Sequence, residues 1–129
     1  MNSIRIFNFL INRYPKNIKA HVVRVADMCI KHGFDYMMVG LLHDIIEDTD
    51  TTLDELPENI RVDISTLTRR SDETYFEYIN RIKNYGSNRA IIVKLYDIKD
   101  HLEQKDTLTK SLEKRYLKAK NILENALDI

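Results

Sequence analysis

The sequence has little cysteine, glycine or proline and no tryptophan: one Cys, three Gly and two Pro among 129 residues. A single Cys excludes an internal disulfide framework and a cysteine-rich zinc module. The scarcity of Gly and Pro favours helices joined by short links. No apolar run approaches the roughly 20 residues needed to span a bilayer, and the first residues lack a signal-peptide pattern. We therefore expect a soluble protein in the reducing cytoplasm.

The charges balance, because 20 Lys and Arg residues oppose 20 Asp and Glu residues. A net charge of zero gives no overall attraction to nucleic acid or to an anionic membrane, and we expect neither as a partner. Hydrophobic residues make up 43% and charged residues 31% of the chain, which is typical of a globular protein. The length fits a single domain, residues 1–129, with one hydrophobic core.

Apolar residues recur at the helical period of 3.6, and the alternation expected of strands is nowhere sustained. The sequence therefore predicts an all-α fold, a single compact bundle of about six helices. The predicted helices cover 2–13, 19–32, 35–48, 52–70, 73–85 and 87–127, with a candidate break at Pro57 and another near 105–108.

Several predicted boundaries have a local cause. Pro15 ends the first helix, and Gly33 is placed as a glycine that follows a helix end. Thr52 and Glu55 have the spacing of a capping box. Ser87 is a candidate N-cap for the last long helical stretch.

One segment, VGLLHDIIEDTD at residues 39–50, concentrates ionisable side chains. On a continuous helix, His43, Asp44, Glu47 and Asp48 lie on one side and the large apolar residues on the other. A solvated helix face explains the carboxylates alone, but it does not readily explain a His-Asp pair beside two leucines. Clustered carboxylates repel one another, and a bound cation relieves that repulsion.

Two other side chains are candidates for the same site. His21 lies on the apolar side of its predicted helix, opposite Arg24 on the solvated side, and is either a satisfied buried histidine or a metal ligand. Asp97 lies at the edge of an apolar stripe, where a carboxylate is costly unless it is paired. Lys94, three residues earlier, is one candidate partner. Imidazole and carboxylate together suit divalent ions of borderline or hard character.

These residues resemble the signature of a known family. His21, the pair His43 and Asp44, and Asp97 are similar to the H…HD…D pattern of the HD-domain phosphohydrolases. The segment LLHDIIEDT, residues 41–49, resembles a box in the RelA/SpoT-type guanosine polyphosphate (ppGpp) hydrolase domain and its small stand-alone relatives.

Three further segments are similar to the same subgroup. They are DTTLDEL at residues 50–56, LTR at 67–69 and VKLYD at 93–97. The resemblance covers about residues 18–104, and it implies the all-α fold that the helical period predicts independently.

The resemblance also implies one divalent metal ion, commonly Mn²⁺, as a cofactor. Its implied ligands are His21, His43, Asp44 and Asp97. Glu47 and Asp48 are implied to be catalytic and to serve the attacking water and the leaving group. This agrees with general chemistry, because a metal ion activates water and a neighbouring carboxylate can orient that water and move protons.

The substrate contacts follow the family's pattern less closely. Arg69 and Lys94 are candidates for neutralising phosphate oxygens, although surface charge explains both as well. His101, one turn beyond Asp97, occupies the position at which the family usually has an Asn near the nucleoside. We interpret His101 as a candidate substrate contact or ligand of a second metal ion. Val22 replaces the usual Pro after the first ligand. The family's upstream Arg-Lys pair has no clear counterpart. The candidates for it are Arg13, Lys16 and Lys19.

The predicted function is metal-dependent hydrolysis of a nucleotide, similar to guanosine 3',5'-bis(diphosphate) 3'-pyrophosphohydrolases, in which activated water attacks the 3' phosphorus and pyrophosphate leaves. Two alternatives are another HD-type phosphohydrolase, such as a 5'-nucleotidase, and a non-catalytic nucleotide-binding or interaction protein. The expected partner is a small nucleotide. An apolar stripe on the last helix predicts core packing, with a homo-oligomer interface as the alternative. Its members are Leu112, Tyr116, Ala119, Leu123 and Ala126.

Overall fold

A computed structural model describes the backbone of residues 3–127 and the side chains of residues 5–127. The described part contains seven α-helices and one single-turn helix, α4, and it contains no β-strand. The helices are α1 (Ser3–Ile11), α2 (Lys16–Cys29), α3 (Phe34–Leu42), α4 (Ile45–Asp48), α5 (Arg61–Leu67), α6 (Tyr75–Tyr85), α7 (Asn88–Glu103) and α8 (Lys110–Leu127). The prediction of an all-α bundle is confirmed.

Three of the predicted local signals form as expected. Gly33 has a φ of 118°, a left-handed conformation that favours glycine, and it follows a short 3₁₀ turn at the end of α2. Thr52 and Glu55 form the capping box, here on a 3₁₀ turn. The Ser87 hydroxyl accepts a hydrogen bond from the Ala90 amide and caps α7.

The predicted helix 35–48 is wrong in one respect, because it breaks at His43 and Asp44. α3 ends at Leu42, and α4 begins at Ile45. Asp44 has φ −101° and ψ 1°, in the sparsely populated bridge region where many active-site residues lie. No Gly or Pro marks this break, so the helical projection treated the segment as continuous.

The predicted helix 52–70 is also wrong over its first half. Only α5 is α-helical there, and two 3₁₀ turns, Leu53–Glu55 and Glu58–Ile60, precede it. Pro57 restricts the residue before it, and Leu56 is extended with φ −89° and ψ 154°. Pro57 therefore prevents a continuous α-helix over this segment instead of only bending it.

The core is built around α7, which packs against α2, α3, α5, α6 and α8. α2 and α3 also pack closely on each other at Gly40, where an added Cβ would lie 3.1 Å from the Ala26 Cα. This close approach brings the end of α3 next to α2. α8 covers α6 and α7 with Ala119 and Leu123 buried, which confirms the predicted core packing of its apolar stripe.

Among the described residues, no helix is both long enough and apolar enough to cross a membrane.

Candidate metal centre

Four side chains from three places in the chain converge at one point. His21 comes from α2, Asp97 comes from α7, and His43 and Asp44 come from the break between α3 and α4. Each offers one ligand atom, and these four atoms lie within 4.8 Å of one another. This group, which we call the metal centre, could hold a metal ion. The structure therefore brings together all four residues that the sequence predicted as ligands.

The surroundings of the His43 side chain favour a positive charge. Its Nδ1–H donates to the Gly40 carbonyl at 2.6 Å, so the proton-free lone pair of the neutral ring is on Nε2. Nε2 is buried and makes no hydrogen bond. It nevertheless lies 3.2 Å from an Asp44 oxygen and 3.3 Å from an Asp97 oxygen. In the neutral ring a lone pair facing two carboxylates is repulsive, and either a proton or a metal ion at this point removes that repulsion.

His21 is oriented in the manner of a metal-ligating histidine. Its Nδ1–H donates to Asp100 Oδ2 at 2.7 Å, while its Nε2 lies 2.7 Å from Asp97 Oδ1. Arg24 in turn holds Asp100 with two hydrogen bonds, of 2.8 and 3.1 Å. A carboxylate on the outer nitrogen fixes the ring and its tautomer, as it commonly does around metal ions.

Sequence reasoning missed Asp100 and assigned Arg24 only to the solvated side of α2. One signal was available. Asp100 lies three residues after Asp97 and therefore on the same side of α7, one helical turn beyond a predicted ligand. The contact with His21 joins residues 79 positions apart, which no local pattern encodes.

In the absence of a cation, protons take its place. Burial lowers the pKa of His43, but Asp44 and Asp97 outweigh it and hold that pKa well above its ordinary value. Burial also lowers the pKa of His21, and Asp97 and Asp100 raise it above normal. Both imidazoles therefore tend to keep a second proton beside the carboxylates. A metal ion has to displace those protons in order to bind.

Lys94 is buried and paired with Asp97, its ammonium 2.6 Å from Oδ2. Burial raises the pKa of Asp97, but Lys94 and His43 reverse the effect and lower it well below normal. Asp97 therefore presents one oxygen to Lys94 and the other to the metal centre. The pairing considered at the sequence level is present, and the predicted phosphate contact of Lys94 stays a prediction.

Glu47 and Asp48 lie beside the metal centre on α4 and outside its four-residue group. Glu47 accepts a hydrogen bond from the Arg69 backbone amide. Burial raises the pKa of Glu47, and the neighbouring Asp44 adds to the effect. Burial and Asp44 likewise raise the pKa of Asp48. Both carboxyls therefore hold protons more readily than a carboxyl in free solution, a useful property in an acid–base group.

A surface cavity of about 560 Å³, which we call the centre cavity, leads to the metal centre. His21 and Asp44 line it, as do Asp48 and His101. Through this cavity a small molecule can reach the ligand side chains from solvent.

His101 lies where its spacing from Asp97 predicts. Its Nε2 is 3.3 Å from Asp97 Oδ1, and its side chain is 40% exposed. The ring stacks on His21 with centroids 4.4 Å apart and on Tyr116 of α8 with centroids 5.0 Å apart. Tyr116 was predicted only as part of the packing stripe. The stack holds the exposed His101 ring in one orientation at the wall of the centre cavity.

The other predicted substrate residues are placed differently. Arg69 reaches Glu47 through its backbone, and its side chain donates to the Glu73 carbonyl at 3.1 Å. Neither Arg69 nor Lys94 is among the described residues that line the centre cavity. Besides His43 Nε2, the Tyr75 hydroxyl is the other buried side-chain polar atom without a hydrogen bond among the described residues. Sequence reasoning did not consider Tyr75.

Neither a scan against protein-family models nor a search of curated proteins found a match to this chain. The assignment of a function therefore depends on the chain's own residues and their geometry.

Proposed function

We propose that the protein is an HD-type metal-dependent phosphohydrolase that acts on a nucleotide, most similar in its chemistry to a guanosine 3',5'-bis(diphosphate) 3'-pyrophosphohydrolase. The observation that carries the proposal is the buried Nε2 of His43, which faces two carboxylates without a hydrogen bond. A metal ion is the simplest partner for that arrangement, and the HD-type residues of the sequence surround it.

The proposed cofactor is a single divalent ion, a class that two imidazoles and two carboxylates suit, and Mn²⁺ is the first choice because the resemblance to HD-domain phosphohydrolases implies it. When bound, the ion would supply Lewis-acid chemistry, polarising a phosphoryl oxygen and lowering the pKa of water. His21, His43, Asp44 and Asp97 would hold it, and Asp100 keeps His21 in the ligating orientation.

The remaining steps belong to the chain's own side chains. Glu47 orients the attacking water and accepts its proton, which its raised pKa and its place beside the ligands favour. Asp48, on the wall of the centre cavity, assists proton transfer to the leaving group. His101 contacts the substrate's phosphate or sugar from the same wall.

One observation favours a 5'-nucleotidase-like reaction as the second candidate. Among the described lining residues of the centre cavity, Arg24 is the only Lys or Arg, and Asp100 already binds it. Of the candidates for the family's upstream basic pair, Arg13 pairs with Glu55 and Lys19 donates to Asn12. A substrate with a single phosphate needs fewer cationic contacts than one with two diphosphates.

A nucleotide panel tests the proposal. The protein, loaded with Mn²⁺, is assayed on guanosine 3',5'-bis(diphosphate), on its adenosine counterpart and on nucleoside 5'-monophosphates, with release of pyrophosphate and phosphate measured separately. Metal-dependent pyrophosphate release supports the first candidate, and release of phosphate from monophosphates supports the second. Binding of nucleotide without turnover of any member would instead favour the non-catalytic alternative.

A matched control distinguishes the loss of a proposed metal ligand from the loss of any histidine side chain. His43→Ala removes a proposed ligand, whereas His32→Ala removes an exposed imidazole that contacts Tyr96 away from the metal centre. Turnover should disappear in the first variant and persist in the second. Equal rates in the two variants would overturn the proposal.

A further inference from the structure

A second surface cavity, of about 600 Å³, lies along α5 and the end of α6. Its polar lining is cationic and hydroxylic, formed by Arg61, Arg70, Arg81, Ser65 and Thr66. Among its described lining residues there is no carboxylate, and none of them lines the centre cavity. We call it the arginine cavity. In a chain of zero net charge, this concentration of guanidinium groups is a local excess of positive charge.

The three guanidinium groups are not equally engaged. Arg81 is fixed in place, since it donates to both oxygens of Glu73 and to the carbonyls of Thr66 and Thr68. Glu73 balances its charge. Arg81 therefore builds the wall of the arginine cavity and adds little net charge to it.

Arg61 and Arg70 have no carboxylate among the hydrogen-bond partners of their side chains, although Asp54 attracts the first through space and Glu73 the second. Arg61 donates to two backbone carbonyls, those of Leu56 and Asp54, which leaves Nη1 unused. The exposed Arg70 side chain makes no hydrogen bond to the described part of the chain. Both arginines line the same cavity with unused donors, and each guanidinium group is a planar fork of donors that matches phosphate oxygens.

The rim of the arginine cavity is apolar and exposed. The Tyr85 side chain is 84% exposed and Val62 is 78% exposed, the two highest values among the large apolar residues described. An exposed aromatic ring beside a phosphate-binding group is suited to stacking on a planar base, as such rings do in proteins that bind single-stranded nucleic acid.

We propose that the arginine cavity is a second ligand site, separate from the metal centre, which binds a nucleoside diphosphate or triphosphate. Arg61 and Arg70 bind the phosphates, and Tyr85 stacks on the base. Inorganic phosphates share the anionic chemistry but have no group for Tyr85 and Val62 to contact. The site therefore favours a nucleotide over pyrophosphate alone. The inference does not depend on the proposed catalytic function, because it uses none of the residues of the metal centre.

Calorimetric titration of the full chain with ADP, pyrophosphate and adenosine, in buffer with EDTA, tests this proposal. EDTA removes metal from the metal centre, so binding there through a cation does not contribute. ADP should bind more tightly than pyrophosphate, and adenosine should bind most weakly. Added salt should weaken ADP binding, because the contacts are exposed and charged.

Three variants identify the site. Arg70→Gln should weaken ADP binding about 10-fold or more, the usual effect of losing hydrogen bonds to a charged group. It should not disturb folding, because that side chain makes no hydrogen bond. Tyr85→Ser should weaken ADP binding and leave pyrophosphate binding unchanged. Lys114→Gln, which removes an exposed charge on α8 away from both cavities, should bind ADP as the wild type does.

Unchanged ADP affinity in Arg70→Gln, or no ADP binding at millimolar concentration by the wild type, would overturn the proposal. Equal affinity for ADP and pyrophosphate, with no effect of Tyr85→Ser, would overturn the assignment of a nucleotide. Failure of either kind leaves the metal-dependent turnover assay unaffected, so the two proposals are tested separately.

Discussion

Two clusters of charged side chains in this protein, one partly buried and one buried, differ in one respect. In the partly buried Arg81 cluster, the guanidinium group of Arg81 meets both oxygens of Glu73 and two backbone carbonyls at 2.6–3.0 Å. In the buried metal centre, the Nε2 of His43 lies near two carboxylates and has no hydrogen bond. The first cluster joins residues 8–15 positions apart and the second joins residues 76 apart, and only in the first are all of these groups hydrogen-bonded.

The difference has an energetic consequence. A cluster whose groups are all hydrogen-bonded needs no further partner. A buried cluster with an unpaired polar group costs stability unless a further group joins it, since an unpaired polar group in the interior is unfavourable. The metal centre could therefore be stabilised by a bound cation, and the Arg81 cluster serves as its internal reference.

The largest expected effect follows from removing a ligand. A saturating divalent ion should raise the melting temperature of the wild type, because a ligand that binds only the folded state stabilises it by about 2.7 kcal/mol at 100 times its dissociation constant. His43→Ala should lose that shift, and His32→Ala should keep it. Differential scanning calorimetry with and without Mn²⁺ measures the shift. An identical shift in all three proteins would place the ion elsewhere.

The next effect separates chemistry from metal binding. Glu47→Gln should lower turnover about 10²–10⁴-fold, the range for loss of an acid–base group. It should retain the metal, because Glu47 lies outside the four-residue group. Metal content and turnover are measured on the same preparation. Near wild-type turnover would contradict the assigned role, and loss of the metal would make Glu47 a ligand.

A smaller effect is expected at Asp100, which contacts the proposed ligand His21 and is not itself a proposed ligand. Asp100→Asn keeps the size of the side chain but weakens its hold on His21, so metal affinity should fall about 10–100-fold, as is typical for such outer partners. A competition titration with a chelator of known affinity measures it. Asp106→Asn, a change in another carboxylate of the same cavity, is the control and should change affinity little.

The smallest effect on the metal centre comes from breaking the reference cluster. Glu73→Gln should lower the free energy of unfolding by about 1–2 kcal/mol, because Arg81 loses a charged partner, and metal affinity should not change. Urea unfolding and a metal titration measure the two quantities. A fall in metal affinity would mean that the clusters are coupled and that the Arg81 cluster is not an independent reference.

The same variant has a defined pH dependence. Arg81 lowers the pKa of Glu73 from 4.5 to about 2. A lowered carboxyl pKa contributes stability that is fully present above the unfolded pKa and is lost as the pH falls toward the folded one. The difference between wild type and Glu73→Gln should therefore be constant above about pH 5 and shrink between about pH 4.5 and 2. Unfolding measured across that range tests it.

The helical period of the sequence predicted the all-α fold, and the resemblance to the HD-domain pattern implied the four candidate ligands. It did not predict the break at Asp44, since no Gly or Pro marks it and the constraint comes from contacts with α2 and α7. It also missed the link from Arg24 through Asp100 to His21, which depends on how α2 packs against α7. Capping residues could be predicted one by one, whereas contacts between helices could not.

The most direct test of the central claim is the metal stoichiometry of the wild-type chain. Metal-free protein is dialysed against micromolar Mn²⁺, and the bound ion is counted by elemental analysis beside His43→Ala. The account predicts about one ion per wild-type chain and none in the variant. No bound ion in the wild type, or the same content in both, would contradict it.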